Sequence, residues 1–390
     1  MSPLVEAEQI SESLRSWLLD QAYPAWWSHG ADHVRGGFHE RLQQDGLPTG
    51  EPRRSRLHPR QIYSFALAQD LAWSGPAVSA LSHALKFYLL HYRRADGLFL
   101  AVVNADGTVG DASAFLYDQA FALLGLAFAC KSLGDKSLRD DARGLLDAIR
   151  LHLGHSHGGF DEIPSGTLPL LSNSHMHLFE AALAWFEQDA DPRWKHLAEE
   201  IVSLATTRFI DRDSGFLLEF FDANWRPVGP HGQRRVEPGH QFEWAWLLLR
   251  WSRHSGDLQA RQLALQLIDA AENRGVDRSR RVAVNALTSN GAVLDGNARL
   301  WPQAERLKAM LLAAETTLDE RYLEAAVQSA RVLMTYLHAP KAGLWRDTLR
   351  PDGTFIEEPA PASSLYHIAG AIVQMMQTLP RLRTAAAISP

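Results

Sequence analysis

Cysteine is almost absent, with a single residue, Cys130, in 390. An internal disulfide is therefore excluded. The position of Cys130 after the apolar run Ala120–Ala129 predicts a buried, unreactive thiol. Long uninterrupted apolar stretches are missing too, and none approaches the ~18 residues that span a bilayer. The opening segment MSPLVEAEQISESLRSW lacks the basic-then-apolar order of a secretory leader. The expected compartment is the cytoplasm, with no membrane partner. Positive charge is not in excess: Lys and Arg number 39 against 45 Asp and Glu, a net charge of −6. Nucleic-acid binders usually carry a basic footprint, so no nucleic-acid partner is expected. No Gly-rich dinucleotide fingerprint or P-loop marks a strand-to-helix turn, and no cofactor is predicted. No linker rich in Pro, Gly and Ser divides the chain, which predicts one catalytic domain over 1–390.

The chain does have the composition of a folded protein, 46% hydrophobic and 22% charged, with 12 Trp and 17 His. Its apolar periodicity is helical nearly throughout. Helices are predicted at about 5–28, 60–74, 77–93, 114–133, 136–153 and 173–188, then at about 192–208, 240–254, 257–274, 301–314, 319–338 and 363–378. These twelve fall into six pairs. Between pairs a glycine precedes a large hydrophobe: Gly37-Phe38, Gly97-Leu98-Phe99, Gly159-Phe160, Gly215-Phe216 and Gly343-Leu344-Trp345, with a degenerate copy at Gly291-Ala292-Val293-Leu294. Some copies run into turn sequences, Asn104-Ala105-Asp106-Gly107 and Arg350-Pro351-Asp352-Gly353, that read as small β-hairpins. TPR and HEAT units are shorter and lack hairpins. The fold class expected is all-α, an (α/α)6 barrel of about twelve helices in six pairs.

Four clusters carry possible chemistry. In Asn173-Ser174-His175-Met176-His177-Leu178-Phe179-Glu180, the i,i+4 spacing sets Asn173 and His177 on one helix face, with Glu180 also on that side. The alternative is that they cap a helix start. The His-x-His pair hints at a metal, but i,i+2 spacing turns the rings to different faces, unlike the i,i+4 zinc pattern. In Gly239-His240-Gln241-Phe242-Glu243-Trp244, His240 sits in a first helical turn, where the helix dipole favours a neutral imidazole. Glu243, one turn on, is placed to orient that imidazole or to bind a substrate hydroxyl. A neutral, oriented imidazole suits a general base; packing under Trp244 is the other reading. In Ser363-Ser364-Leu365-Tyr366-His367, His367 opens the last apolar helix and by itself reads equally as a core residue. In Arg56-Leu57-His58-Pro59-Arg60-Gln61-Ile62-Tyr63, Arg60 enters an apolar run and must be paired or functional. His155-Ser156-His157 reads as a solvated loop.

Taken in order, Arg60-Gln61-Ile62-Tyr63-Ser64-Phe65-Ala66, Tyr117-Asp118-Gln119-Ala120-Phe121, the Asn173–Ala181 segment, Gly239–Ala245, Leu300-Trp301-Pro302-Gln303 and Ser364-Leu365-Tyr366-His367 resemble the N-acylglucosamine 2-epimerase family across about residues 30–375. That family comprises sugar 2-epimerases and aldose–ketose isomerases on an (α/α)6 barrel. The resemblance implies that His240 and His367 are the acid/base pair and that Arg60 contacts substrate oxygens. It implies that Tyr117, Asn173, His177 and Trp301 line the site and that Glu243 supports His240. Arg-Gln-Ile-Tyr and His-Gln-Phe-Glu-Trp resemble the acylglucosamine epimerase and mannose or mannose-phosphate isomerase branches more than the cellobiose epimerases.

The expected reaction moves the C2 proton of an open-chain monosaccharide, of the N-acetylglucosamine/N-acetylmannosamine or mannose/fructose type. Arg60 would stabilise the enolate oxygen, with no metal required. The partner is a small-molecule sugar, and a homodimer is left open. The alternatives are a mannose-6-phosphate isomerase-type activity and an (α/α)6 glycoside hydrolase. The hydrolase needs two opposed carboxylates, for which Glu180 and Glu243 are the candidates.

Overall fold

In the computed structural model, which describes residues 2–388, the helical periodicity resolves into twelve helices. They are α1 (Pro3–Trp17, continuing through helical turns to Gly30), α2 (Leu57–Asp70), α3 (Ala77–His91), α4 (Leu116–Leu133), α5 (Ser137–Leu153) and α6 (Ser172–Phe186). The second half holds α7 (Pro192–Leu204, continuing through Ala205–Phe209), α8 (Pro238–Ser255), α9 (Leu258–Gly275), α10 (Leu300–Thr317), α11 (Glu320–Tyr336) and α12 (Leu365–Ile388). The even-numbered helices pack in sequence, α2 on α4 on α6 on α8 on α10 on α12, and α12 returns to α2. They form the inner ring, and the odd-numbered helices lie outside it. This is an (α/α)6 barrel.

Hydrophobic patterning explains the two rings. Outer α5 buries Leu138, Ala142, Leu145, Leu146, Ile149 and Leu153, a single stripe at helical spacing. Inner α4 buries residues on every face, from Leu116 through Cys130. A helix apolar all round is stable only when surrounded, and each fully buried Leu or Phe contributes about 1.5–3 kcal/mol. Helix ends are set locally. Asp191, Asp257 and Asp319 accept first-turn backbone N–H bonds at the starts of α7, α9 and α11. Gly134 and Gly256 end α4 and α8 at φ +66° and +75°.

The connections entering the inner helices form short strands around one mouth of the barrel. Leu170–Leu171 pairs antiparallel with Phe220–Phe221, Arg235–Val236 with Ala286–Thr288, and Ala298–Arg299 with Thr348–Leu349. Arg41–Leu42 pairs with Ala360–Pro361 and so joins the first connection to the last. The repeated glycines have a steric reason. At Gly159, φ is +71° and a Cβ would meet His175 Nε2 at 3.0 Å; at Gly343, φ is +83° and a Cβ would meet the Gln21 carbonyl oxygen at 2.3 Å. The hydrophobe that follows is buried each time, as in Phe38, Leu98, Phe160, Phe216 and Leu344. The copy expected at Gly291 lies elsewhere. Val276–Asp277 pairs with Val282–Ala283, and Arg281 holds the left-handed position at φ +61° without a glycine.

A side-chain clamp fastens these extended segments to the inner helices. Gln119, Gln241 and Gln303 each accept a backbone N–H and donate to the carbonyl of the same residue: Phe99, Leu217 and Ala283 respectively. His58 and His175 do half of this, accepting from Phe38 N and Phe160 N. In the His-x-His pair, His175 is therefore a structural clamp, and His177 is the ring that faces the barrel axis.

Candidate active site

A cleft of about 500 Å³ opens at the strand-lined mouth, over the N-terminal ends of the inner helices. All eight residues expected at the site line it: Arg60, Tyr117, Asn173, His177, His240, Glu243, Trp301 and His367. Every inner helix contributes. Trp301 stands between the two histidines, its ring centroid 5.1 Å from that of His240 and 5.6 Å from that of His367. Arg60 lies across the cleft on α2.

Each histidine is oriented by a carboxylate that the motifs did not name. His240 Nδ1 lies 2.9 Å from Glu219 Oε2, and His367 Nδ1 lies 2.7 Å from Glu305 Oε1. With Nδ1 engaged, Nε2 is the working nitrogen of both rings. Glu243 makes no hydrogen bond to His240, and its charge acts on that ring only from a distance. It reaches His177, with Oε1 3.8 Å from Nδ1, and that oxygen has no hydrogen-bond partner. The Glu243 carboxyl is pushed well up by burial and by the neighbouring Glu305 and Glu180 charges.

The protonation expected for His240 is reversed. Burial pulls its pKa down, but the Glu219 and Glu237 carboxylates outweigh this and push it up to about 10. A helix N-terminus contributes about 0.3–1 kcal/mol against the charged ring. Two close carboxylates outweigh it, so the imidazolium form of His240 is favoured at neutral pH. His367 goes the other way, well below the ordinary range, because of burial and the Arg60 and Lys308 charges. His177 is held down at about 4 by burial, against the Glu180 carboxylate. The site therefore pairs a protonated ring with a neutral one, the divergence that separates an acid from a base.

Arg60 Nη2 donates to the Tyr117 hydroxyl at 2.8 Å, and its guanidinium lies over Phe121, 4.2 Å from the ring centroid. Among the described residues Arg60 has no carboxylate partner of its own, and the nearby Asp118 pairs with Arg56 at 3.5 Å. Arg60 Nε and Asn173 Oδ1 are buried without hydrogen-bond partners. Unsatisfied polar atoms in a cleft cost about 1–3 kcal/mol each and suit a hydroxyl-rich ligand. Four more arginines, Arg41, Arg54, Arg56 and Arg299, line the rim.

Glu180 lies beneath the cleft, bonded by the Tyr366 hydroxyl and by His177 at 3.4 Å. It does not line the cleft, and the opposed pair with Glu243 that a hydrolase requires is not formed. His177, Glu180 and Glu243, and likewise Glu243, Glu305 and His367, bring ligand-type atoms within 4.8 Å of one another. Lys308 Nζ already sits 2.8 Å from Glu305 Oε2 and supplies the positive charge there. At the far end of the barrel a cavity of about 700 Å³ is lined by ion pairs that satisfy one another, among them Arg250–Glu187 and Arg253–Glu315. His155, expected in a solvated loop, is largely covered and lies 2.8 Å from both Asp161 Oδ1 and the Ala223 carbonyl oxygen.

Residues 36–371 match the model of the N-acylglucosamine 2-epimerase (GlcNAc 2-epimerase) family. The chain belongs to this family. A family relative, the mannose-6-phosphate isomerase of Rhizobium meliloti (strain 1021), is 44% identical over 378 residues, 95% of this chain and 97% of its own. The D-mannose isomerase of Thermobifida fusca is 28% identical and covers 78% of this chain and 82% of its own. The cellobiose 2-epimerase structure from Spirochaeta thermophila DSM 6192 superposes with a TM-score of 0.86 at 24% identity, covering 97% of this chain and 98% of that one. At that identity the superposition shows the shared barrel. Family membership makes the chain an isomerase-class enzyme acting on a small-molecule sugar. No described helix is long and apolar enough to cross a membrane.

Proposed function

We propose that the chain, acting as one catalytic domain, is an aldose–ketose isomerase whose acid/base pair is His240 and His367. The observation that carries this is the placement of two histidines in one cleft on either side of Trp301, each with Nδ1 held by its own carboxylate, and their surroundings push the two rings in opposite directions. His367 Nε2 takes the C2 proton of the open-chain aldose, acidic because it lies next to the C1 carbonyl. The C2–H electron pair becomes the C1–C2 double bond, and His240 Nε2–H protonates the carbonyl oxygen. Arg60 holds the oxygens as charge develops, where preorganised donors contribute most. The enediol then returns its O2 proton to His240 and takes the proton on His367 at C1, giving the ketose. Every proton is accounted for, and no outside oxidant or reductant enters.

The substrate we propose is mannose 6-phosphate. Five of the eighteen residues lining the cleft are arginine and none is lysine, in a chain of net charge −6. Planar guanidinium forks match phosphate oxygens in a way that an ammonium does not. Arg54 is braced by Glu40 and Arg299 by Asp347, each leaving donors free. The 44% identical relative is named for this sugar phosphate.

The test is incubation in heavy water with mannose 6-phosphate, mannose, N-acetylmannosamine and cellobiose, reading product identity and the position of deuterium. Fructose 6-phosphate labelled at C1 is expected. Deuterium at C2 of an inverted aldose assigns epimerisation instead. Equal efficiency on mannose and its 6-phosphate removes the phosphate from the proposal.

A further inference from the structure

The two histidines are built alike, each with a carboxylate on Nδ1, but what stands behind the carboxylate differs. Behind Glu219 is a second acid, Glu237, whose Oε2 lies 3.8 Å from His240 Nδ1. Behind Glu305 is Lys308, three residues along α10, whose Nζ lies 2.8 Å from Glu305 Oε2. Lys308 is 1% exposed, and its ammonium lies 3.6 Å from the Trp246 ring centroid and 5.9 Å from that of Tyr366. A buried ammonium costs several kcal/mol unless paired, and the aromatic rings around it would accept an apolar side chain equally well. Packing does not require the charge.

We propose that Lys308 is a positioning residue that cancels the charge of Glu305, so that Glu305 fixes the direction of His367 without fixing a proton on it. The inference rests on the assignment of His367 as the base. An imidazole that donates Nδ1–H to a lone buried carboxylate is drawn toward the imidazolium, which cannot accept a proton. With Lys308 on the other carboxylate oxygen, the hydrogen bond survives and that pull is cancelled. On the His240 side no other cation among the described residues touches Glu219, and Glu237, although its Oε1 pairs with Arg235 at 3.0 Å, keeps Oε2 toward the ring, which stays charged.

The charge count around His367 supports this. It is faced by Glu305 and Lys308 from α10, Glu243 and His240 from α8, Glu180 and His177 from α6, Arg60 from α2, and its neighbour Tyr366 on α12. Arg60, Lys308 and the His240 imidazolium are the cations among these groups. Removing Lys308 leaves the buried acids facing only Arg60 and His240, and His240 is already held by Glu219 and Glu237. The proton that restores balance is then held by the His367–Glu305 pair, and the base is lost at the pH where it was available.

The experiment compares wild type, Lys308→Met, Lys308→Arg and the double variant Lys308→Met/Glu305→Gln, measuring kcat/KM from pH 5 to 10 and the melting temperature of each. A His367→Asn control is run beside them. In Lys308→Met the acidic limb of kcat/KM moves up by at least one pH unit, about a tenfold loss on that limb. Lys308→Arg restores it. In the double variant the amide oxygen still accepts from Nδ1 and both charges are gone, so the limb returns toward wild type. The double variant also buries no unpaired charge, so it carries the test if Lys308→Met does not fold. An acidic limb that stays at the wild-type pH in folded Lys308→Met, or stays displaced in the double variant, overturns the role of Lys308. If His367→Asn retains full activity, the base assignment itself falls, whatever the lysine variants do.

Discussion

Replacing Glu219 with Gln tests the acid arm of the mechanism without removing the histidine. Glu219 accepts from Glu237 N at 3.2 Å through Oε1 and faces His240 Nδ1 at 2.9 Å through Oε2. Gln has the same shape. If its oxygen keeps the backbone bond, its NH2 faces Nδ1, which favours the neutral ring. The wild-type ring, pushed up to about 10 by Glu219 and Glu237 against burial, is ~99% imidazolium at pH 8, whereas a ring at its ordinary ~6.5 would be ~3% charged. Glu237 remains at 3.8 Å, so the variant falls between these limits. The acid must be protonated to act, so activity is lost as pH rises through its pKa. The expected result is a basic limb of kcat/KM near pH 10 in wild type and at least one pH unit lower in Glu219→Gln, about a tenfold loss per unit on that limb. The acidic limb, set by His367, stays where it was. A basic limb at the wild-type pH in a folded variant refutes His240 as a carboxylate-held acid.

Arg60→Lys is expected to lower kcat more than it raises KM, because enolate charge develops only near the transition state; a large fall in melting temperature with near-normal kcat refutes the catalytic role. Arg56→Ala should lower the ratio of kcat/KM for mannose 6-phosphate over mannose by about 10–100-fold, the worth of about 1.4–2.8 kcal/mol of charge-assisted hydrogen bonding. An equal loss on both sugars refutes a phosphate contact. Dialysis against a chelator should leave turnover intact, and a loss reversed by added zinc or magnesium would return His177, Glu180 and Glu243 to consideration as ligands.

The barrel was legible because two periodicities agreed: apolar residues at helical spacing, and a glycine before a buried hydrophobe at each connection. That second signal fails only where Arg281 takes the left-handed conformation in place of a glycine. The eight cleft residues were reachable from first-turn motifs on the inner helices. The carboxylates behind the histidines were not, because Glu219 comes from the connection just ahead of the Phe220–Phe221 strand and Glu305 lies one turn below the cleft. Two signals did point to them. Glu305, Arg306 and Lys308 are charged residues in a helix that is buried on nearly every face from Leu300 to Ala314. In four connections an acid also follows the repeated glycine by three or four residues: Glu40, Glu162, Glu219 and Asp347. The protonation of His240 could not be read from helix position, because a dipole is outweighed by carboxylates brought in from other segments.

The glutamine and histidine clamps divide the molecule into a frame and a lip. Each clamp grips backbone and is indifferent to the side chains of the hairpin beyond it. The tips reach open space: a Cβ on Gly158, Gly166 or Gly353 would meet nothing within 4 Å. Lengthening a surface loop costs only ~0.6 kcal/mol per doubling. The lip is therefore an exchangeable part, free to be trimmed or extended around a fixed ring of acid, base and arginine. One scaffold can close over a single hexose or leave room for a longer sugar while its chemistry stays in place.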